Sequence, residues 1–130
     1  MIYTKLNYDC VRDVLLYLED NLTINNSIAF PSDIKESLLL KYSKDDLLYT
    51  VKILLNKKLI LGDDNFNYVT GMYTANIESL SFDGHSFLDN IRDNQVWSKS
   101  KKILSAFKSV SIEIISQVAT NVIYKKLGLI

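Results

Sequence analysis

The 130-residue chain has one cysteine, one proline, one histidine, one tryptophan and four glycines, and its formal net charge is zero. Each scarcity excludes something. With Cys10 alone, no intramolecular disulfide and no cysteine-based metal cluster can form. The expectation is a reducing, cytoplasmic setting, with Cys10 a small buried hydrophobe on a helix. Four scattered glycines make no phosphate-cradling loop, and with a single proline they leave room for long regular elements. His85 stands four residues before Asp89, but a lone imidazole lacks the nucleophile or the further ligands that catalysis or metal binding needs. No apolar run approaches the roughly 18 residues of a membrane-spanning helix. The N-terminus MIYTKLNYDC lacks the basic-then-apolar order of a signal peptide. The residues thus point away from an enzyme, a cofactor, a metal and a membrane anchor.

Balanced charge also weighs against a broadly basic nucleic-acid surface, so any basic patch has to come from local segregation. Residues 1–64 carry eight basic and ten acidic groups, and residues 65–130 carry seven basic and five acidic. Lys99, Lys101, Lys102 and Lys108 fall in a stretch with no acid, next to Trp97. That neighbourhood reads either as an aromatic-plus-basic nucleic-acid surface or as a buried tryptophan between two helices beside a solvated lysine face. The second is favoured, because tryptophan is usually largely buried. The acid pairs Asp9/Asp13 and Asp89/Asp93 fit solvated helix faces.

Hydrophobic residues make up 48% of the chain and charged residues 23%, a globular balance. Asn7 is a fit N-cap for a first helix to about Asn21, with Val11, Val14, Leu15, Leu18 and Leu22 on one side. Ile28–Phe30, just before Pro31, suits a short edge strand. A second helix is expected from Ser32 or Asp33 to Tyr42, with Leu38, Leu39 and Leu40 apolar. Ser43 with Asp46 at N3 opens a third helix. Its stripe is Leu47, Leu48, Val51, Leu54, Leu55 and Leu59, and Asp45, Tyr49, Lys52 and Asn56 line the opposite face. Leu59–Leu61 reads as a strand, Gly62–Asn65 as a turn, Tyr68–Thr70 as further ribbon, and Ile77–Phe82 as a returning strand. Asp83 can cap a fourth helix with Phe87, Leu88 and Ile91 inward. A break follows at Asn94-Gln95, then a helix from Trp97 to Phe107. The last helix starts at Ser109 or Ser111, carries Ile114, Ile115, Val118, Ala119, Val122, Ile123 and Leu127 on one face, and ends before Gly128, a natural C′ residue.

Helix, short strand, helix, helix, strand, loop, strand is the element order of a winged helix-turn-helix. The predicted class is α+β and mostly helical, with a winged-helix core over 1–94. C-terminal helices over 95–130 would pack on that core or pair two copies. The run Gly84-His85, Phe87-Leu88-Asp89, Ile91-Arg92-Asp93 and Val96-Trp97 resembles a family of uncharacterised proteins common in phages and prophages of Gram-positive bacteria, with a winged-helix-like N-terminal part. Leu54-Leu55 followed by Leu59-Ile60, and the ending Lys125 to Leu129, extend the resemblance over most of the chain. The chain departs from that pattern in the two acids that open its third helix, and in Lys57-Lys58 where an Ala-Gly-like pair is expected. The resemblance implies fold and phage context and no activity.

Two binding readings remain: a DNA-binding regulator comes first, because a winged helix most often serves DNA, and a protein–protein interaction module is the alternative. If DNA is the partner, Tyr49, Lys52 and Asn56 face the major groove, Lys57 and Lys58 lie nearer the phosphates, and the ribbon around Tyr68 and Tyr73 touches the backbone. Asp45 and Asp46 oppose this reading. If a protein is the partner, such as a host or defence protein, the same neutral, tyrosine-rich face serves.

Overall fold

Asn7 does cap the first helix. In the computed structural model, which describes residues 6–107 and 110–130, its Oδ1 accepts the Cys10 amide at 3.1 Å and opens α1 (Tyr8–Asn21). Among the described residues there follow β1 (Ile28–Phe30), α2 (Glu36–Lys41), α3 (Lys44–Asn56), β2 (Ile60–Asn67), β3 (Met72–Leu80), α4 (Phe82–Ile91), α5 (Asn94–Leu104) and α6 (Ile112–Lys126). The class is α+β with more helix than strand. Met1–Lys5, read above for a leader, and Lys108 and Ser109 lie outside the described residues. The chain divides into two compact units, Met1–His85 and Ser86–Ile130.

In the first unit the three strands form an antiparallel sheet in the order β1-β3-β2. α1 packs on α3 and β3, and α3 on β2 and β3. The enclosed core contains Val11, Val14, Leu15 and Leu18 of α1, Leu47, Val51 and Leu54 of α3, and Phe30, Ile60 and Ile77 of the strands. Leu48 and Leu55 are half-buried, so the α3 stripe is narrower than its leucines suggest. Thr50 is buried as well, and its hydroxyl donates to Cys10 Sγ at 3.3 Å. Burial pushes the Cys10 thiol up to about 11, as expected of a structural rather than a reactive cysteine.

The ribbon corrects the sequence reading. Gly62–Asn65 is not the turn; it lies inside β2. Gly62 sits at a bulge, where Leu61 pairs with Ser79 and Gly62 with Ile77, leaving Glu78 as the extra residue. That extra residue is why Ile77 and Leu80, three positions apart, are both buried. A Cβ on Gly62 would collide with the Asn76 carbonyl, which is why glycine occurs here without a turn. The turn itself is Tyr68–Gly71. Asn67 Oδ1 accepts the Val69 and Thr70 amides at 2.9 and 3.2 Å, and Gly71 takes the left-handed φ of 70°.

Other starts shift too. Neither Ser32 nor Asp33 caps α2, which is a six-residue helix from Glu36 with only Leu38 buried; Leu40 is 80% exposed. Asp33 instead closes the turn after β1, its carboxylate accepting the Ala29 amide at 2.8 Å. Phe82 is not the end of a strand but the first residue of α4, and it is 85% exposed. The break before α5 falls at Arg92-Asp93, and Asp93 caps α5 through the Val96 amide at 2.9 Å.

At the end of α3 the Lys58 and Leu59 amides turn back to the Leu55 and Leu54 carbonyls, each at 3.0 Å, a Schellman closure. Its left-handed residue is Lys58, with φ 59°. That residue replaces the glycine-like position noted in the sequence. Lys58→Gly is therefore expected to raise the free energy of unfolding by about 1 kcal/mol. A urea midpoint at or below that of the parent chain would contradict the strain argument. α6 makes the same closure with glycine in place, the Gly128 and Leu129 amides reaching Lys125 and Tyr124.

In the second unit α5 packs on α6. Phe87, Leu88, Ile91, Val96 and Trp97 are buried, as are Ile112, Ile115, Ala119 and Val122 of α6. Ile114 and Leu127, expected on the same stripe, are exposed. Ile115, Ala119 and Val122 are thus covered within a single chain, with Val118 half-buried beside them.

Candidate functional site

The outward face of α3 and the β2–β3 hairpin border a groove of about 350 Å³. Tyr49 and Lys52 reach it from α3, with Leu48 at its floor, while Phe66, Met72 and Tyr73 close the other side. Helical spacing puts Leu48, Tyr49 and Lys52 on adjoining rows, and the two-residue period of the hairpin turns Phe66 and its cross-strand partner Tyr73 to one place. Pro31 borders the groove after a cis Phe30–Pro31 bond.

Tyr73 donates its hydroxyl to Asp64 Oδ2 at 2.8 Å. Burial and that carboxylate hold the phenol protonated well above its usual range. A neutral tyrosine whose hydroxyl donor is already engaged presents its ring, not a charge, to whatever enters. Tyr68, at the hairpin tip, is 90% exposed and meets Phe66 edge-on, with ring centroids 4.9 Å apart. Of the seven residues singled out from the sequence, the fold therefore gathers Tyr49, Lys52 and Tyr73 in the groove and sets Tyr68 beside Phe66. Asn56, Lys57 and Lys58 are exposed at the far end of α3 and do not line it.

Sequence reasoning missed Phe66 and Met72. Both depend on the hairpin register, which the bulge at Gly62 sets and which turn-like residues disguised. Exposed Phe66, Tyr68, Val69 and Met72 make the hairpin end apolar. Residues 60–80 contain Asp63, Asp64 and Glu78 and no lysine or arginine.

A second, larger cavity of about 610 Å³ lies where α1 ends, bordered by Glu19, Asn25, Asn76, Glu78 and His85. His85 Nδ1 is 3.8 Å from Glu19 Oε2, an ion pair only when the imidazole is protonated. Asp89 pairs with Arg92 at 2.9 Å, and Asp13 accepts from the Tyr42 hydroxyl at 2.7 Å, so two of the acids noted in the sequence serve contacts within the fold. Among the described residues no cluster of three or more His, Cys, Asp or Glu side chains could hold a metal ion. None of the described helices is long and apolar enough to cross a membrane. Trp97 is 5% exposed, so its ring is not an open stacking platform; Lys101 Nζ lies 5.9 Å from the ring centroid.

No solved structure matches the chain. An uncharacterized protein of Haemophilus influenzae is 30% identical over 125 residues, covering 95% of this chain and 99% of that one. The model of a family described as hypothetical protein, DUF2513, matches residues 5–111, and the chain belongs to that family.

Proposed function

We propose that the chain is a non-enzymatic, winged-helix-type binding protein of the phage and prophage kind, and that its α3–hairpin groove takes an apolar segment of a protein partner. The element order and the β1-β3-β2 sheet support the winged-helix assignment, and fold alone leaves the partner open. The observation that carries the choice of partner is the hairpin. A wing that touches DNA meets phosphates and needs cations. This hairpin has three acids, no lysine or arginine, and an end made of exposed Phe66, Tyr68, Val69 and Met72. Asp45 and Asp46 put two acids beside Lys44 in the first turn of α3, where a recognition helix would read bases. Aromatic and methionine side chains with few charges are the composition of protein–protein contact centres.

The test is capture of partners from a bacterial lysate by the parent chain and by Tyr49→Ala and Phe66→Ala. A stoichiometric protein partner is expected, with each variant weakening it by about 2 kcal/mol, roughly thirtyfold, at unchanged far-UV circular dichroism. The DNA reading makes a different forecast. Duplex binding would then depend on Lys52 and Asn56, with Asn56→Ala relaxing preference at one base pair and Asp45→Ala strengthening binding. That pattern, without a protein partner, would overturn the proposal.

A further inference from the structure

The two units differ in charge. Residues 1–85 carry eight basic and twelve acidic groups, and residues 86–130 carry seven basic and three acidic. The second unit is therefore net +4 over 45 residues while the first is −4. A chain that is neutral as a whole thus holds a basic module, which averaging over the sequence conceals.

The positive groups of that module are ordered. Gln95, Lys99 and Lys102 stand at i, i+4 and i+7 on α5, one stripe of the helix. Their backbone positions are spaced about 6 and 4.5 Å along its axis. Lys126, near the end of α6, donates from Nζ to Gln95 Oε1 at 2.8 Å. This bond brings Lys126 to the start of the stripe, so the row runs Lys126, Gln95, Lys99, Lys102 across two helices. Lys125 and Lys101 flank it, and all of these side chains are exposed. Of the three acids of the unit, Asp89 pairs with Arg92, Asp93 accepts the Val96 amide in the α5 cap, and Glu113 is in the first turn of α6, so four more cations than acids remain in the unit.

We infer that this α5–α6 row binds the phosphate backbone of nucleic acid without reading sequence. Lysine binds phosphate as a compact point charge, without the fixed geometry that the arginine fork imposes. A line of charges, rather than a clump, matches a linear polyanion. The row's one amide, Gln95, has its Oε1 engaged by Lys126, and the buried Trp97 offers no stacking face, so binding is electrostatic and steeply salt-dependent. The row shares no residue with the α3–hairpin groove, and its success or failure leaves the groove's partner undecided.

The experiment is fluorescence anisotropy of a labelled random-sequence duplex with the full chain over a salt series. Binding at low ionic strength is expected, weakening as salt rises. Lys99→Gln/Lys102→Gln/Lys126→Gln should lower the magnitude of the log–log salt slope by roughly two to three units and weaken binding at low salt by at least about tenfold. Lys99→Gln/Lys102→Gln, which leaves the Gln95 contact intact, should give about two-thirds of that slope change. Lys52→Gln/Lys57→Gln on α3 should change neither. Three results would overturn the inference: no duplex retained at low ionic strength; duplex binding lost through the α3 pair and kept in the α5–α6 variants; or binding to phosphatidylserine vesicles and not to duplex, which would make the row a membrane contact.

Discussion

Trp97→Ala is expected to lower the free energy of unfolding by about 3–5 kcal/mol, the range for emptying a buried large aromatic site. Domains of this size have total stabilities of about 5–15 kcal/mol, so the variant should sit close to unfolding at ambient temperature. Trp97 shares the buried face of α5 with Val96 and Ser100, at i−1 and i+3. Truncation to a methyl leaves a void that a helix held by its Asp93 cap cannot readily close. Because this is the only tryptophan, far-UV circular dichroism in urea is the readout for the variant. In the parent chain the indole emission should be that of a ring out of water. Ser100→Ala is the internal contrast. The Ser100 hydroxyl is buried with no hydrogen-bond partner among the described residues, so its removal should be neutral or stabilising by up to about 1 kcal/mol. A Trp97→Ala chain within about 1 kcal/mol of the parent, or an emission maximum of fully hydrated indole, would sink the burial argument.

The features legible in the sequence were those settled within one turn of chain. Asn7 and Ser43 cap α1 and α3 because a side-chain oxygen three residues before an amide is a local matter. Gly128 closes α6 for the same reason. The buried Leu47, Val51 and Leu54 follow from helical period alone. What could not be read was fixed by partners distant in sequence. Gly62-Asp63-Asp64-Asn65 has turn composition, yet β3 pairs with every one of those residues, and only the close approach of the Asn76 carbonyl explains the glycine. Asp33 looks like a helix cap, but it closes onto Ala29 and accepts from the Tyr17 hydroxyl through its own carbonyl at 2.8 Å. The groove was half visible for the same reason. Tyr49 and Lys52 come from the period of α3, whereas Phe66 and Met72 needed the hairpin register.

Gly84→Ala should destabilise the chain by about 3 kcal/mol, the upper part of the range for forcing an added group into a packed site. Helix propensity alone forecasts the opposite. Gly84 is inside α4, where alanine is the better helix former by about 1 kcal/mol. The contrary sign comes from the turn between α3 and β2. A Cβ on Gly84 would land on the Leu59 carbonyl oxygen, and backbone cannot swing aside as a side chain can. The same few atoms hold the helix start. The Ser81 amide donates to Leu59 O at 3.0 Å, Ser81 Oγ donates to Lys58 O at 2.6 Å, and Ser81 Oγ accepts the Gly84 amide at 3.0 Å. Ser81, not the expected Asp83, is therefore the residue that opens α4, since its hydroxyl serves both the helix and the turn. An added methyl must part α4 from that turn or push Leu59, itself buried, out of place. Urea titration of Gly84→Ala beside the parent chain reads the sign directly. A variant as stable as the parent or more so would mean that α4 stands off the α3–β2 turn, and that glycine opens the Gly84–Trp97 motif for some reason other than close approach.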